Sequence, residues 1–165
     1  MRKFLLLGLL FISQPILAGE ISDTYGANVF NIKWGGSIED VKKVFTYGRR
    51  ETYKDVVMYV ARDGRPVFDI ERKKNSLIIF GFNPKKQFNS VAIDIPQADY
   101  SAMLKVLDKK FGKHTMQSDN STARIATWPK DGNIELSLTM ARAGFFSQEI
   151  KTSFNIIHTG SVKND

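Results

Sequence analysis

Apolar and polar residues alternate along this chain with two periods, one of two residues and one of about 3.6, and the places where the period changes divide it into strands and helices. After a polar lead, "EISDTYG", Phe30, Ile32 and Trp34 alternate with Asn31 and Lys33, which predicts a half-buried strand. In "WGGSIEDVKKVF", Gly35 and Gly36 form a corner and Ser37 with Asp40 a capping box, while Ile38, Val41, Val44 and Phe45 share one helical face. From Thr52 to Ile95 the pattern predicts a meander of four strands: "YKDVVMYVA", "PVFDIE", "SLIIFGF" and "FNSVAIDI". The turns between them are "RDGR", "RKKN" and "NPKK".

Pro96 opens a second helix, whose Tyr100, Met103, Leu104, Leu107 and Phe111 form an apolar stripe, with Gly112 placed as its C-terminal cap. Strands resume with "TARIATW", the turn "PKDG", "NIELSLTM", the loop "ARAGFF" and "SQEIKTSFNIIHT". Ile134, Leu136, Leu138 and Met140 oppose Glu135, Ser137 and Thr139; Ile150, Thr152, Phe154 and Ile156 oppose Lys151, Ser153 and Asn155. One face of each strand is therefore covered and the other wet.

The expected order is β-α-β-β-β-β-α-β-β-β, loosely duplicated as a helix followed by antiparallel strands. It predicts one α+β domain over residues 19–159, a single curved antiparallel sheet with two helices packed on one face, and a flexible tail at 160–165.

The first residues read differently. Arg2 and Lys3 precede the apolar run "FLLLGLLFI", then "SQP" and the small residue Ala18, as in a secretory signal. The run is shorter than the roughly 20 residues that span a bilayer. Cleavage after Ala18 or Gly19 is expected, and loss of residues 1–18 leaves 147 of the 165 residues and lowers the net charge from +7 to +5, since Arg2 and Lys3 leave with it. No cysteine is present, so neither disulfides nor thiolate chemistry contribute, and the expectation is a soluble protein of the bacterial periplasm, or a secreted one. Glu20 stands where a lipoprotein would carry its acylated cysteine.

The stretch Trp34–Phe45 resembles the "G-x-S-x-x-x-V" helix opening of small envelope proteins of the outer-membrane-assembly lipoprotein type (SmpA/BamE), and the helix-then-strands repeat is similar to that of β-lactamase inhibitory protein. The second helix, with its "KKFGK" ending, resembles a pattern of exported bacterial proteins. The resemblance implies a non-enzymatic fold that contacts other macromolecules. Glu20, the larger number of strands and the absence of the inhibitor's cysteines depart from these patterns, and no functional residue carries over.

Chemistry-bearing residues are few. His114, Asp119 and Ser121 are the members from which a serine triad could be drawn, but no nucleophile elbow accompanies them. His158 ends the last strand, no metal-ligand spacing occurs, and "DNST" around Asn120 reads as a polar loop. No cofactor is expected. Charge is more informative: if turns alternate ends of the meander, Arg62, Arg65, Lys85, Lys86, Lys109, Lys110 and Arg142 gather at one pole with Phe145 and Phe146. Such a pole suits an acidic protein surface or an anionic envelope surface rather than nucleic acid, for which no module is present. The expectation is a non-enzymatic protein-binding or inhibitor-like module of the bacterial envelope. The alternatives are a hydrolase of cell-wall or envelope material and an accessory protein contacting anionic lipid head groups.

Overall fold

Three α-helices and ten strands take up most of residues 20–120, 122–142 and 150–160, which the computed structural model describes. The expected leader at 1–18, with the cleavage positions Ala18 and Gly19, and residues 161–165 of the expected tail lie outside the described residues. The fold is α+β and mostly antiparallel sheet.

The polar lead forms a short helix, α1 (Glu20–Tyr25), and the strand expected at Phe30–Trp34 is instead a small hairpin, β1 (Asn28–Val29) with β2 (Ile32–Lys33). Phe30 and Asn31 between them both take left-handed backbone, φ 52° and 63°, the conformation of a tight two-residue turn. Phenylalanine is unfavourable there, and its ring compensates by packing edge-on to Phe45 at 5.5 Å and Phe80 at 6.3 Å. Trp34 then stacks on Phe88 at 4.8 Å and on His158 at 5.4 Å, while its indole N–H donates to the Tyr25 carbonyl at 2.6 Å. The Gly35–Gly36 corner is fixed by reciprocal backbone hydrogen bonds with Phe88, both 2.8 Å.

Helix α2 (Ile38–Val44) begins with the expected capping box: Ser37 Oγ accepts from the Asp40 amide at 3.3 Å and the Asp40 carboxylate accepts from the Ser37 amide at 3.0 Å. Val41 and Phe45 are buried, but Val44 is exposed and falls off the packed face.

The meander follows, with different strands from those expected. The expected strand "YKDVVMYVA" is broken by a turn at Lys54, φ 53°, which joins a strand that was not expected, β3 (Gly48–Tyr53), to β4 (Val56–Arg62). "PVFDIE" is not a strand: Phe68 and Asp69 take φ 52° and 62° in a second tight turn closed by a Val67–Ile70 bridge, and the Phe68 ring packs against Phe111 and Phe154. One long connection, Asp63 to Ser76, therefore contains "RKKN" and all of "RDGR" but Arg62, which ends β4. It leads to β5 (Leu77–Phe82) and β6 (Phe88–Ile95).

A 3-10 turn, Gln97–Asp99, precedes α3 (Tyr100–Phe111), which buries Tyr100, Met103, Leu107 and Phe111 and ends at Gly112 with φ 82°. Strands β7 (Thr115–Asp119), β8 (Ala123–Thr127), β9 (Ile134–Arg142) and β10 (Ile150–His158) complete the order. Of these, β7 was not expected. The larger sheet runs β3-β4-β5-β6-β10-β9-β8-β7 with every neighbour antiparallel, so a helix followed by four strands occurs twice and the two last strands pair at the centre.

Arg72 secures the long connection. Its side chain is fully buried and fans out to three carbonyls, Nε to Asp94 at 2.8 Å, Nη2 to Leu77 at 3.0 Å and Nη1 to Arg65 at 3.2 Å, with Asp63 at 3.9 Å. Burial lowers the pKa of the guanidinium, and the charges of Asp63 and Asp94 oppose that shift. Asp63 is pushed up by burial, but hydrogen bonds from Arg65 and the positive charges of Arg65 and Arg72 more than offset this and hold it below its ordinary value.

Arg72→Ala removes the guanidinium that donates to these three carbonyls and should lower unfolding free energy by about 3–5 kcal/mol. Urea denaturation measures it, and a loss under about 1 kcal/mol would show that the connection holds without the fan. Asp40 makes a second prediction. A hydrogen bond from Lys43, then those from the Ser37 amide and hydroxyl, lower its pKa to about 2. A depressed carboxyl stabilises the fold above its unfolded pKa of about 3.9 and loses that contribution as pH falls toward the folded value. The stability difference between the native chain and Asp40→Asn should therefore be constant above pH of about 5 and shrink between about 4 and 2. Thermal melts across that range test it; a difference independent of pH would contradict it.

Candidate binding surface

The ladder places the predicted basic residues at two ends rather than one. Arg62 pairs with Leu77, Ile78 with Ile93, Thr152 with Ile95 and Ile150 with Arg142, so Arg62, the connection carrying Arg65, and Arg142 share one end. Lys85 and Lys86 lie in the turn from β5 to β6, which is the opposite end. Lys109 and Lys110 sit in the last turn of α3, which leaves the Arg142 end: Gly112 at its terminus accepts from the Trp128 indole at 2.9 Å, and the Trp128 amide donates to Leu136, well down β9. The single pole is thus corrected to separate groups. Phe145 and Phe146 lie outside the described residues.

Several of these cations are already engaged. The Arg65 Nη2 pairs with Asp63 at 2.7 Å and its guanidinium lies over the rings of Phe45 and Phe30 at 5.2 and 5.9 Å. Lys110 lies over Phe111 and Phe68 at 5.6 and 5.9 Å. They cover aromatic edges of the core, as cations often do.

The two faces of the large sheet differ sharply. Tyr59, Ala61, Ile78, Phe80, Val91, Ile93, Phe154 and Ile156 alternate onto one face and are buried. The residues between them form the open face. Its β4 and β5 part is apolar, with Val56, Met58, Val60, Leu77 and Ile79; its β10 and β9 part is polar, with Ser153, Asn155, Ser137 and Thr139. There Asn155 Nδ2 lies 3.3 Å from Ser137 Oγ and 3.4 Å from Thr139 Oγ1, holding neighbouring strands together.

Of the depressions on this face, two border its apolar part. A shallow one of about 250 Å³ runs from Val56, Met58 and Ile79 across Ser90 to Asn155 and Ile157. Gly81 shapes its floor, since a Cβ there would come within 2.2 Å of Ser90 Oγ. The second, of about 440 Å³, lies at the corner of β3, β4 and β5 and is lined by Thr46, Tyr47, Gly48, Arg49, Val60, Arg62 and Leu77. Tyr47 is 87 % exposed, Tyr53 67 %, Val56 50 % and Ile157 37 %. The sequence signal for these residues is the unbroken apolar run Val56–Ala61: a strand apolar at successive positions is apolar on both faces, and only one face has a core to meet.

Catalytic candidates are arranged differently from the expected triad. His114 Nδ1 lies 2.8 and 3.0 Å from the two carboxylate oxygens of Asp108, not near Asp119, which pairs with Arg124 at 2.9 Å. Ser121 lies outside the described residues. The His114–Asp108 pair closes the end of α3 beside Trp128, 5.9 Å between ring centres. Among the described residues no three histidine or acidic side chains are grouped to hold a metal ion. Likewise, no helix among them is long and apolar enough to cross a membrane. Comparison with protein-family models, curated proteins and solved structures gives no match.

Gly48 borders the corner depression because nothing larger fits above Tyr59. A Cβ would lie 2.6 Å from that ring, whose hydroxyl donates to the Phe45 carbonyl at 2.8 Å in the core. Gly48→Ala should lower stability by about 1–3 kcal/mol through displacement of a rigid buried ring. Chemical denaturation, with Tyr59→Phe as the comparison lacking only the hydrogen bond, distinguishes this from loss of the hydroxyl contact; an unchanged midpoint would refute it.

Proposed function

We propose that this chain is a non-enzymatic, inhibitor-like protein-binding module of the bacterial envelope, and that its partner lies on the open face of the sheet. The observation that carries the reading is the uncovered apolar area on β4 and β5, continued by Tyr53, Val56 and Ile157. An exposed apolar patch edged by polar groups is what protein interfaces use, and burying it stabilises a complex by roughly 25 cal/mol per Å² before the costs of association.

On this reading a curved sheet is backed by α2 and α3 on the buried face, which presents the opposite face as a rigid platform. Ring contacts on the backed side support it: Phe45 after α2 lies 4.8 Å from Phe80, and Phe68 bridges Phe111 of α3 to Phe154. Location in the periplasm rests on the leader pattern of residues 1–18. The basic residues Arg62 and Arg142 would select the approach of an acidic partner, while Lys85 and Lys86 lie too far along the sheet to join them. For the hydrolase alternative, Asp94, Glu51 and Glu135 are carboxylates of the open face, and the last two are engaged by Arg49 and Lys130, which favours structural roles for those two.

A photocrosslinking residue placed at Val56 or Ile157, in cells that make the chain naturally, should yield a discrete protein adduct on irradiation. The same residue at Val44, exposed at the end of α2, should not. Equal adducts at Val44, or lipid adducts alone at Val56 and Ile157, would remove the reading.

A further inference from the structure

The corner of β3, β4 and β5 has a chemistry of its own, distinct from the rest of the open face. Arg49 pairs with Val60 and Arg62 with Leu77 across the ladder, and Val60 and Arg62 share one side of β4, so all four side chains project to the same side. They enclose the 440 Å³ depression with Tyr47, and no acidic side chain among the described residues lines it. An apolar floor of Val60 and Leu77 therefore lies between two guanidinium groups. Arg49 reaches Glu51 at 2.5 Å, and among the described residues Arg62 donates to a backbone carbonyl, that of Asn75, at 3.5 Å, which leaves one carboxylate for two cations. β3 is also the last strand on its side of the sheet, so the corner opens to an edge.

Resting on the open-face reading, we infer that this corner receives an acidic polypeptide segment of the partner, with an aromatic or aliphatic side chain seated on Val60 and Leu77 beside Tyr47 and its carboxylates paired with Arg49 and Arg62. The two halves of the argument are independent. The apolar floor and Tyr47 favour a side chain, because tyrosine and arginine around a small apolar pocket are the commonest energetic centres of protein interfaces. The charge decides which segment: a carboxylate gains paired, charge-assisted hydrogen bonds from a guanidinium, whereas a lysine-bearing segment would bring like charges together. A volume of about 440 Å³ exceeds the roughly 150 Å³ that accommodates one benzene ring, leaving space for a flanking carboxylate.

The probe is a capped acidic heptapeptide with one central phenylalanine, titrated at low salt into the isotope-labelled protein and followed by amide chemical shifts. Saturable changes should concentrate at Tyr47, Gly48, Arg49, Arg62 and Leu77 and weaken as ionic strength rises. Arg49→Glu with Arg62→Glu should weaken binding at least about tenfold, which corresponds to about 1.4 kcal/mol. Both positions are on the surface, and an unchanged melting midpoint confirms that the double variant folds. The same peptide with lysines for its glutamates should not saturate, and phenylalanine replaced by alanine should bind more weakly. Absence of saturation by the acidic peptide, equal binding of the lysine peptide, shifts confined to Val56 and Ile157, or full affinity in the double variant each overturn the inference. Tighter binding of dodecanoate at these same amides would assign the corner to a small amphiphile and overturn it equally. Crosslinks at Val56 and Ile157 that persist while the peptide fails would leave the open-face reading standing and remove only this corner.

Discussion

The register between β6 and β10 is the constraint from which the remaining geometry follows. Ile93 lies opposite Phe154 and Val91 opposite Ile156, so both strands turn their large apolar residues to one side. Side chains alternate strictly along a strand, so a slip of one residue would carry Phe154 and Ile156 to the open face and Asn155 into the core. Each half of the chain is a helix followed by a four-stranded meander. Pairing the last strands of the two halves makes one continuous buried face and, necessarily, one continuous open face. The candidate surface is the second consequence of the pairing that builds the core.

Residues distant in sequence reinforce this junction. Trp34 stacks on Phe88 at the start of β6 and on His158 at the end of β10. Phe68 reaches from the long connection to Phe154 in β10, and Arg72 from the same connection to Asp94 in β6. With no cysteine in the chain, aromatic insertion and one buried arginine do the crosslinking. The two phenylalanines in left-handed turns, Phe30 and Phe68, illustrate the exchange: each accepts an unfavourable backbone conformation, and each packs its ring among others of the core.

Much of this was legible in the sequence. Alternation located β5, β6, β9 and β10, the Ser37–Asp40 box located α2, and the stripe from Tyr100 to Phe111 located α3. Alternation could not show that "PVFDIE" is a turn folded around Phe68, because Val67, Phe68 and Ile70 have strand composition and the positive φ belongs to residues other than glycine. Nor did it show β7, whose "TMQSD" is almost entirely polar, or that Arg72 in a basic turn is buried. The first two misreadings have a geometric cost. Each strand added or omitted reverses the end of the sheet at which every later turn emerges. The false strand moved "NPKK" to the wrong end relative to Arg62; the missing β7 reversed the count again, so Arg142 was correctly placed with Arg62 while the lysines were not. Face assignments survive such errors because they depend on local alternation alone, and end assignments do not.

The edge and the face of β3 and β4 show what kind of contact the fold permits. An edge strand exposes unpaired backbone groups, and β3 carries Arg49, Arg50 and Glu51 along its length, a charge pattern that discourages pairing with another strand. Directly beside it, β4 leaves Val56 half exposed and Met58 and Val60 partly so. Protection of the edge without protection of the face is difficult to attribute to solubility, since a polar residue at Val56, Met58 or Val60 would disturb no core contact on the other side. The arrangement agrees with the proposed partner laid against the sheet, with added strands kept off the edge and arginines at the corner to orient it.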